Sequence, residues 1–254
     1  MRFTDRVALV TGGASGMGRA AVLGFAAEGA AVVVNDIDEA GLAATAEAVR
    51  AQGGRVALAP GDITDAATID LMVARAVGEF GRVDILFNYV GGDPDLAPQK
   101  PFVDQTDDFW DRMIAVNLKS TIRACHAVLP AMTAQGYGRI VNTGAVAGKI
   151  GGPNMALYSA VKGGVIAFTK ALALETAPHA ITVNCVCPGP IATGMTARIS
   201  DEHKAVYARR RTALGRYGDP EEVAHMTLSL CLPAASFLTG AVIPVDGGLM
   251  ARNA

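Results

Sequence analysis

Tyr158 and Lys162, four residues apart, are the side chains of this sequence best suited to move a proton. Residues at positions i and i+4 of a helix lie on one face, so the ammonium group of Lys162 can sit near the phenol of Tyr158. A free phenol has a pKa near about 10, and a neighbouring positive charge lowers it. The pair therefore predicts a general acid/base at Tyr158 whose pKa Lys162 lowers. The same spacing also occurs on exposed helix faces that do no chemistry.

A glycine-rich turn near the start of the chain is the second chemical motif. Gly12, Gly16 and Gly18 follow an apolar, strand-like segment and precede a helical one. Glycines allow the backbone to approach a pyrophosphate group closely, and the N-terminus of the following helix stabilises the charge. We expect Ser15 and Met17, in the same turn, to contact that group as well. A simple tight turn is the alternative, but the flanking strand and helix favour dinucleotide binding.

Asp36 ends the second strand-like segment, roughly 20 residues past the turn, where dinucleotide-binding folds place an acceptor for the adenosine ribose. Its charge repels a 2′-phosphate, and positions 13–15 and 37 carry no lysine or arginine to offset that repulsion. The sequence thus predicts NAD rather than NADP. Asp36 could instead cap the next helix, a role that Asp38 fills equally well.

Asp62 and Ile63 follow the third strand-like segment. Ligands of parallel sheets bind beyond the carboxyl ends of the strands, so we expect these two residues to meet the adenine edge of the cofactor. A helix N-cap is the alternative for Asp62.

The elements that must position these residues alternate along the chain. Short runs rich in valine, isoleucine and leucine lie at 7–10, 31–35, 56–59, 85–88, 139–142, 182–186 and 241–245. Segments with helical periodicity lie at 19–28, 39–52, 66–80, 109–135, 156–176 and 221–230. This alternation predicts an α/β fold, a doubly wound, Rossmann-type sheet of about seven parallel strands with helices on both faces. The length of 254 residues fits a single domain spanning 1–254.

The amino-acid composition limits the kinds of molecule this chain is expected to bind. Hydrophobic residues make up 51% of the chain and the net charge is -2, which argues against disorder and against a nucleic-acid-binding surface. Charges or glycines interrupt the apolar stretches before the roughly 20 residues of a membrane span, and the first residues lack the apolar core of a signal peptide. We therefore expect a cytoplasmic protein with a small-molecule partner, no nucleic acid and no membrane.

The cysteines and histidines show no spacing typical of a metal site. None of the four cysteines forms a Cys-x-x-Cys pair, and three of them lie in apolar runs. We therefore expect buried free thiols and no metal.

In combination these motifs resemble the short-chain dehydrogenase/reductase family, from Val7 to Gly248. The matching residues are Thr11, Gly12, Gly16, Gly18, Asp62, Asn88, Gly91, Asn117, Tyr158, Lys162, Pro188, Gly189 and Thr193. The resemblance implies that Tyr158 is the general acid/base, that Lys162 binds ribose hydroxyl groups and tunes Tyr158, and that Asn117 anchors a proton-relay water.

The resemblance also implies cofactor contacts later in the chain. It places Asn88 through Gly91 beside the cofactor, and Ile191 and Thr193 near the nicotinamide carboxamide. Pro188 and Gly189 belong to the same turn, which proline stiffens. A purely structural loop is the alternative for Thr193.

The sequence departs from the family at two positions. Thirteen residues before Tyr158, where the family usually has a serine, stands Ala145. Such a serine orients the substrate oxygen, and its loss is expected to reduce turnover; Thr143 could replace it only from deeper along the strand. Ala145 fits an engineered serine-to-alanine change or a natural member with weak or lost catalysis. Tyr89 replaces a small polar residue and is expected to serve packing rather than catalysis.

The substrate is expected to lie among segments 92–98 and 145–155 and a lid at about 194–216. Within them we expect Ala145, Asn154, Met155 and Met195 to line a partly apolar pocket. The basic run 209–211 is expected to be a solvated helix face. By resemblance, the chain forms a homotetramer through its last strand and the long helices that contain Asn117 and Tyr158.

The sequence as a whole predicts an NAD-dependent oxidoreductase that transfers a hydride between NAD(H) and a secondary alcohol or ketone, impaired by Ala145. One alternative is an NAD-binding protein without significant turnover that acts through assembly or partner binding. Another is an isomerase or dehydratase that retains NAD, although the short C-terminal part leaves little room for a larger substrate domain.

Overall fold

The computed structural model describes residues 1–90 and 101–252. Within them, seven parallel strands form one sheet in the order β3-β2-β1-β4-β5-β6-β7. The strands are β1 Val7–Thr11, β2 Ala31–Asp36, β3 Arg55–Pro60, β4 Ile85–Asn88, β5 Gly138–Thr143, β6 Ile181–Pro188 and β7 Val242–Val245. Each strand coincides with a predicted run to within two residues, and the predicted Rossmann-type sheet is confirmed.

The central strands are buried because helices cover both faces of the sheet. Every residue of β1, β4, β5 and β6 is buried. The order of strands along the sheet reverses between β1 and β4, so the carboxyl ends of these two strands open a crevice. The motifs of the sequence predict the cofactor in that crevice.

The helices divide between the two faces of the sheet. Those in the described residues are α1 Gly16–Ala27, α2 Glu39–Ala51, α3 Ala66–Phe80, α4 Asp107–Ile114, α5 Ser120–Gln135, α6 Ala147–Ile150, α7 Ala156–Thr176, α8 Asp201–Arg211 and α9 Pro220–Cys231. Side chains of α1, α2 and α9, such as Phe25, Leu42 and Val223, share one apolar core. Side chains of α3, α5 and α7, such as Met72 and Val128, share the other.

The helix predicted at 109–135 is interrupted by a π-helical turn, Ala115–Lys119. Asn117 lies in this turn, and its side-chain Nδ2 donates to the carbonyl oxygen of Met113 at 3.1 Å. In a regular α-helix that carbonyl would bond to the backbone N–H of Asn117. The side chain of Asn117 thus takes the place of a backbone donor in the helix, at a π-turn of the kind that is frequent at functional sites.

The sequence pattern did not predict helix α8, whose residues lie within the segment expected to be a lid. Ser200 caps it by accepting from the backbone N–H of His203 at 3.3 Å, and Asp201 and Glu202 lie in its first turn. These are standard signals for a helix start. The basic residues 209–211 form its exposed last turn, as expected.

Among the described residues, one segment, Ala156–His179, is long and apolar enough to cross a membrane by length and composition. It comprises α7 and the turn after it. In this fold its residue Val165 packs against Cys185 and Cys187 of β6. Length and composition alone therefore give little support for a membrane span.

Candidate active site

The glycine turn joins β1 to α1 and requires glycine at three positions. Gly12 and Gly16 have φ angles of +69° and +51°, which residues with a Cβ atom rarely adopt. A Cβ atom at Gly18 would lie 2.0 Å from the carbonyl oxygen of Gly12, so only glycine permits this approach of α1 to the turn. Ser15 precedes α1 but makes no side-chain capping bond. The first N–H groups of α1 therefore take their acceptors from outside the helix, which suits a pyrophosphate site.

Asp36 faces this turn from the end of β2. Its carboxylate accepts from the backbone N–H of Ala14 at 3.0 Å and from that of Asp38 at 3.1 Å. The next helix is capped by Asp38, which accepts from Gly41 N–H at 3.1 Å. Capping is thus not the role of Asp36. A carboxylate has about four acceptor positions, so the two backbone bonds leave capacity for ribose hydroxyl groups.

Asp62 also lines the crevice and forms an ion pair with Arg112, a contact that was not predicted from the sequence. Its carboxylate accepts from the backbone N–H of Thr64 at 2.8 Å and from Arg112 of α4 at 3.4 Å. Burial by itself raises the pKa of Asp62, but the Thr64 and Arg112 contacts outweigh burial and hold the pKa below its ordinary value. Helix α3 is capped by Asp65 instead. Asp62 therefore stays charged, and Arg112, fifty residues away in sequence, gave no local signal of this contact.

The glycine turn, Asp36 and Asp62 all line one cavity of about 290 Å³. The predicted cofactor or substrate residues that line it are Gly12, Ser15, Gly16, Asp36, Asp62, Ile63, Thr193 and Met195. The rest of its lining includes Tyr89 and Arg112. The predicted catalytic residues are not part of that lining. The cavity therefore brings together residues predicted for the adenosine and the pyrophosphate with Thr193 and Met195, which were predicted for the nicotinamide and the substrate.

Tyr158 and Lys162 lie in the first turns of α7, as predicted. Lys162 is 2% exposed, and its Nζ donates to the carbonyl oxygen of Thr143 at 3.0 Å. The same Nζ lies 5.9 Å from the centre of the Tyr158 ring. Burial lowers the pKa of Lys162 to about 8.

Lys162 does not lower the pKa of Tyr158 here, so that expectation was wrong for the cofactor-free protein. Burial raises the pKa of Tyr158 to about 12, and the neighbouring Cys187 adds to the increase. The physical reason is that removal of the phenolate from water outweighs the attraction of an ammonium group at this distance. The phenol is therefore protonated at neutral pH.

Asn117 is fully buried in the π-turn, and its amide is only half satisfied. Its Nδ2 is used by Met113, whereas its Oδ1 has no hydrogen-bond partner within the described part of the chain. The backbone carbonyl of Asn117 accepts from Thr121 Oγ1 at 3.1 Å. A buried amide oxygen without a partner is suited to hold a water molecule, as the predicted relay role requires.

Ala145 is buried directly after β5, 7% exposed, with no hydroxyl group at the position where the family usually has one. Thr143, the possible substitute, has a buried Oγ1 without a hydrogen-bond partner among the described residues. No contact of Thr143 supports the substitution.

The four cysteines are buried and free, as predicted. Cys185 and Cys187 lie two residues apart on β6, so they point to the same side of the strand, and their Sγ atoms are 3.9 Å apart. Residues 1–90 and 101–252 contain no group of three or more histidine, cysteine or acidic side chains that could hold a metal ion.

The turn after β6 reaches the crevice through Thr193. A Cβ atom at Gly16 would lie 3.4 Å from Thr193 Cγ2, so this turn packs on the glycine turn. Ile191 is buried in the apolar core, and Gly189 donates its N–H to the carbonyl of Val245 at 3.0 Å. Pro188 ends β6. These three residues shape the turn and do not line the cavity.

Asn88 serves the sheet, because its Nδ2 donates to Asn142 Oδ1 at 2.9 Å and joins β4 to β5. Its side chain is buried and does not reach the cavity. Gly91 and segment 92–98 lie outside the described residues.

The expected substrate residues fall in two places. Met155 immediately precedes α7, and Asn154 before it has a left-handed φ of +58° and is exposed. Met195 lies on the expected lid and lines the cavity. Nothing in the described contacts joins Asn154 or Met155 to that cavity.

Tyr89 packs against the glycine turn between β1 and α1. Its backbone N–H donates to Thr11 Oγ1 at 2.9 Å, and its ring packs near Phe87 with centres 5.9 Å apart. Its phenol oxygen lies 3.7 Å from where a Cβ atom of Gly16 would be. Burial raises the pKa of Tyr89 above its ordinary value, so the phenol is neutral. The expected packing role is present, and a contact with the cofactor-binding turn is added to it.

Similarity to known proteins shows the family to which this chain belongs. The family model described as enoyl-(acyl carrier protein) reductase matches residues 12–250. The chain is 39% identical over 250 residues to the 3-oxoacyl-[acyl-carrier-protein] reductase FabG of Thermotoga maritima, covering 98% of this chain and 100% of that protein. The chain belongs to the short-chain dehydrogenase/reductase (SDR) family.

Other SDR proteins match over the same length. The chain is 41% identical over 248 residues to the (2S)-[(R)-hydroxy(phenyl)methyl]succinyl-CoA dehydrogenase subunit BbsD of Thauera aromatica, covering 98% of each chain. The crystal structure of levodione reductase superposes with a TM-score of 0.91 at 32% identity, covering 99% of this chain and 100% of that one. The family predicted from the motifs is thus confirmed, and the chain is a member of an oxidoreductase family.

Proposed function

We propose that this SDR chain uses NAD(H) to interconvert a ketone and a secondary alcohol, and that Ala145 limits its turnover. The observation that carries the proposal is the pairing of Tyr158 with the buried Lys162 on α7, in a fold whose crevice presents the glycine turn and Asp36. When bound, the nicotinamide cofactor supplies or accepts the hydride.

The residues of the crevice fit such a cofactor. Gly12 and Gly16 leave room for a pyrophosphate, and the first N–H groups of α1 favour its charge. Asp36 offers acceptors for the adenosine ribose and repels a 2′-phosphate, which supports NAD. The arginine of the cavity, Arg112, is paired with Asp62 at the other side. Ile63 adds an apolar surface for the adenine.

The protonation states favour reduction of a ketone. With a pKa of about 12, Tyr158 holds its proton at neutral pH and can donate it to a substrate oxygen. Lys162, with a pKa of about 8, is mostly charged there and stabilises negative charge that develops on the phenol oxygen. Asn117 Oδ1 offers a buried acceptor for a water molecule that returns a proton towards Tyr158.

The relatives suggest a substrate class. FabG and BbsD are named for acyl-carrier-protein and CoA derivatives. We therefore propose an acyl thioester bearing a ketone or hydroxyl group, held between Met155 and the expected lid with Met195. Asn154 offers a polar contact at its edge.

The experiment that tests this function compares the chain with Ala145→Ser and Tyr158→Phe. NADH oxidation is measured with cyclic, aromatic and 3-oxoacyl-thioester ketones. One restored donor to the substrate oxygen should raise kcat by about 10²–10³, and Tyr158→Phe should abolish turnover. Equal turnover in the chain and in Ala145→Ser contradicts the proposed limit, and turnover that survives in Tyr158→Phe contradicts the acid/base role.

The second candidate is an NAD-binding protein without significant turnover, which the missing hydroxyl group at Ala145 favours. It predicts that the chain and Ala145→Ser both bind NADH and that neither oxidises NADH with any ketone of the panel. A partner-binding or assembly change on addition of NADH would then be the activity to measure.

We propose a homotetramer as the assembled form, and an exposed apolar surface supports it. Phe237 is fully exposed, and Leu174 on α7 and Leu238 are also exposed. A Cβ atom at Gly240 would be 3.7 Å from Ala173 Cβ, so the segment that carries Phe237 and Leu238 meets the part of α7 that carries Leu174. Phe237 and Leu238 precede β7, which is an edge strand of the sheet formed by the described residues.

A further inference from the structure

Asn35 is a buried amide in β2 whose side chain bonds to the backbone that follows the neighbouring strand β3. It is 0% exposed, and its Nδ2 donates to the carbonyl oxygens of Ala59 at 2.9 Å and Gly61 at 3.1 Å. Gly61 opens the β3–α3 turn, residues 61–65, and its N–H donates to the carbonyl oxygen of Asp36 at 3.0 Å. The first residue of this turn is therefore fixed to β2 through both its N–H and its carbonyl group.

An amide side chain is unusual at this position of β2. The four preceding residues of the strand, 31–34, are alanine and valine, and asparagine is depleted in strands. The Oδ1 of Asn35 is buried without a hydrogen-bond partner among the described residues, which lowers stability. An apolar side chain would avoid that loss, but the carbonyl of Gly61 would then lack this donor. The contribution of Asn35 is therefore its bond to the turn.

The other end of the β3–α3 turn is held from α5. Arg123 is half-buried, and its Nη1 donates to the carbonyl oxygen of Thr64 at 2.7 Å. The N–H of Thr64 in turn donates to the carboxylate of Asp62 at 2.8 Å. Side chains from two distant parts of the chain, Asn35 and Arg123, thus fix the turn at both of its ends.

Between these two contacts lie the residues expected to meet the adenine. Asp62 and Ile63 line the cavity, and so do Gly61 and Asn35. We propose that Asn35 and Arg123 are positioning residues of the adenine site, which hold the β3–α3 turn so that Asp62 and Ile63 face the adenine of NAD(H). The inference rests on the proposed cofactor site. Because a turn that is already ordered loses less conformational entropy on binding, both side chains raise the affinity for the adenosine half of the cofactor.

The test measures the binding of NADH and of ADP-ribose, which keeps the adenosine half and lacks the nicotinamide, by isothermal titration. Asn35→Ala removes the donor from β2, and Arg123→Met removes the donor from α5 while keeping a long apolar side chain. Asn184→Ala is the matched control, because Asn184 is an equally buried amide that does not line the cavity. Its Nδ2 donates to the carbonyl oxygen of Leu238 at 2.8 Å. Circular dichroism confirms that each variant is folded.

We expect Asn35→Ala and Arg123→Met each to weaken NADH binding about two- to tenfold, the equivalent of one hydrogen bond. ADP-ribose binding should weaken by the same factor, because the altered contacts lie in the adenosine half. Asn184→Ala should leave both affinities unchanged, although it also removes a buried amide. In the cofactor-free protein, the backbone amides of the β3–α3 turn should exchange hydrogen faster in Asn35→Ala and Arg123→Met than in the original chain.

Unchanged binding of both ligands by the folded variants overturns the inference and leaves the proposed function intact, provided that the original chain binds NADH. Weaker binding of NADH with unchanged binding of ADP-ribose also overturns it. So does an equal loss of affinity in Asn184→Ala, since the effect would then report lost stability rather than a displaced turn. If Asn35→Ala does not fold, Arg123→Met alone decides. If the original chain binds neither ligand, both the proposed function and this inference are refuted.

Discussion

Replacing Lys162 by methionine should change how the stability of the cofactor-free protein depends on pH. Burial lowers the pKa of Lys162 from 10.5 to about 8, whereas the unfolded chain keeps an ordinary lysine pKa near about 10.4. Between these two values the unfolded state holds a proton that the folded state has released. The free energy of unfolding therefore rises with pH in this window, and the cost of burying the charge is largest below it.

The magnitude follows from the size of the shift. One pKa unit corresponds to about 1.4 kcal/mol, so burying the charged amine costs roughly 3 kcal/mol well below the folded-state pKa. Raising the pH from about 7 to about 9.5 relieves about 2 kcal/mol of that cost. Methionine carries no charge, so Lys162→Met removes this dependence. It also leaves the Thr143 carbonyl without its donor at 3.0 Å, a cost of about 1–3 kcal/mol that does not vary with pH.

The assay is urea unfolding of both proteins across this pH range, because the other titrating groups are common to both and cancel in the difference. The free energy of unfolding of the original chain minus that of Lys162→Met should increase by about 2 kcal/mol from about pH 7 to about pH 9.5. Lys170→Met, on an exposed part of the same helix, is the matched control and should give a constant difference. A constant or falling difference for Lys162→Met would refute the reasoning that the charged amine is buried at a cost.

Two further outcomes follow from the cofactor crevice and the exposed apolar surface. Asp36→Ser should shift the ratio of NADPH to NADH affinity towards NADPH by about tenfold, because it removes the charge that repels a 2′-phosphate. Titration of both cofactors measures this ratio. An unchanged ratio contradicts the role given to Asp36. Phe237→Glu should reduce the mass of the assembled protein measured by light scattering, because it places a charge in the surface proposed to be buried between copies of the chain. An unaltered mass excludes that surface as the contact between copies.

The sheet could be predicted from the sequence because each strand is a local run of apolar residues. The bounds of α7 were also correct, because its pattern is local and uninterrupted. The pKa values of Tyr158 and Lys162 could not be predicted, because they depend on burial by distant segments rather than on the spacing within the helix. The contact of Arg112 with Asp62 and that of Tyr89 with α1 likewise join residues far apart in the chain. The π-turn at Asn117 depends on one side-chain bond that periodicity does not reveal.

The energetics around Tyr158 favour the catalytic interpretation over an NAD-binding protein without turnover. Lys162 is buried at a cost to stability, and Asn117 Oδ1 and Ser159 Oγ are buried without hydrogen-bond partners among the described residues. Each unpaired buried polar atom costs about 1–3 kcal/mol. Binding of a cofactor to the glycine turn, Asp36 and Lys162 requires neither Asn117 Oδ1 nor Ser159 Oγ, whereas proton transfer to and from Tyr158 uses a buried acceptor for water. The arrangement therefore supports the acid/base chemistry proposed at Tyr158, because Ala145 removes one hydroxyl group and leaves these other parts in place.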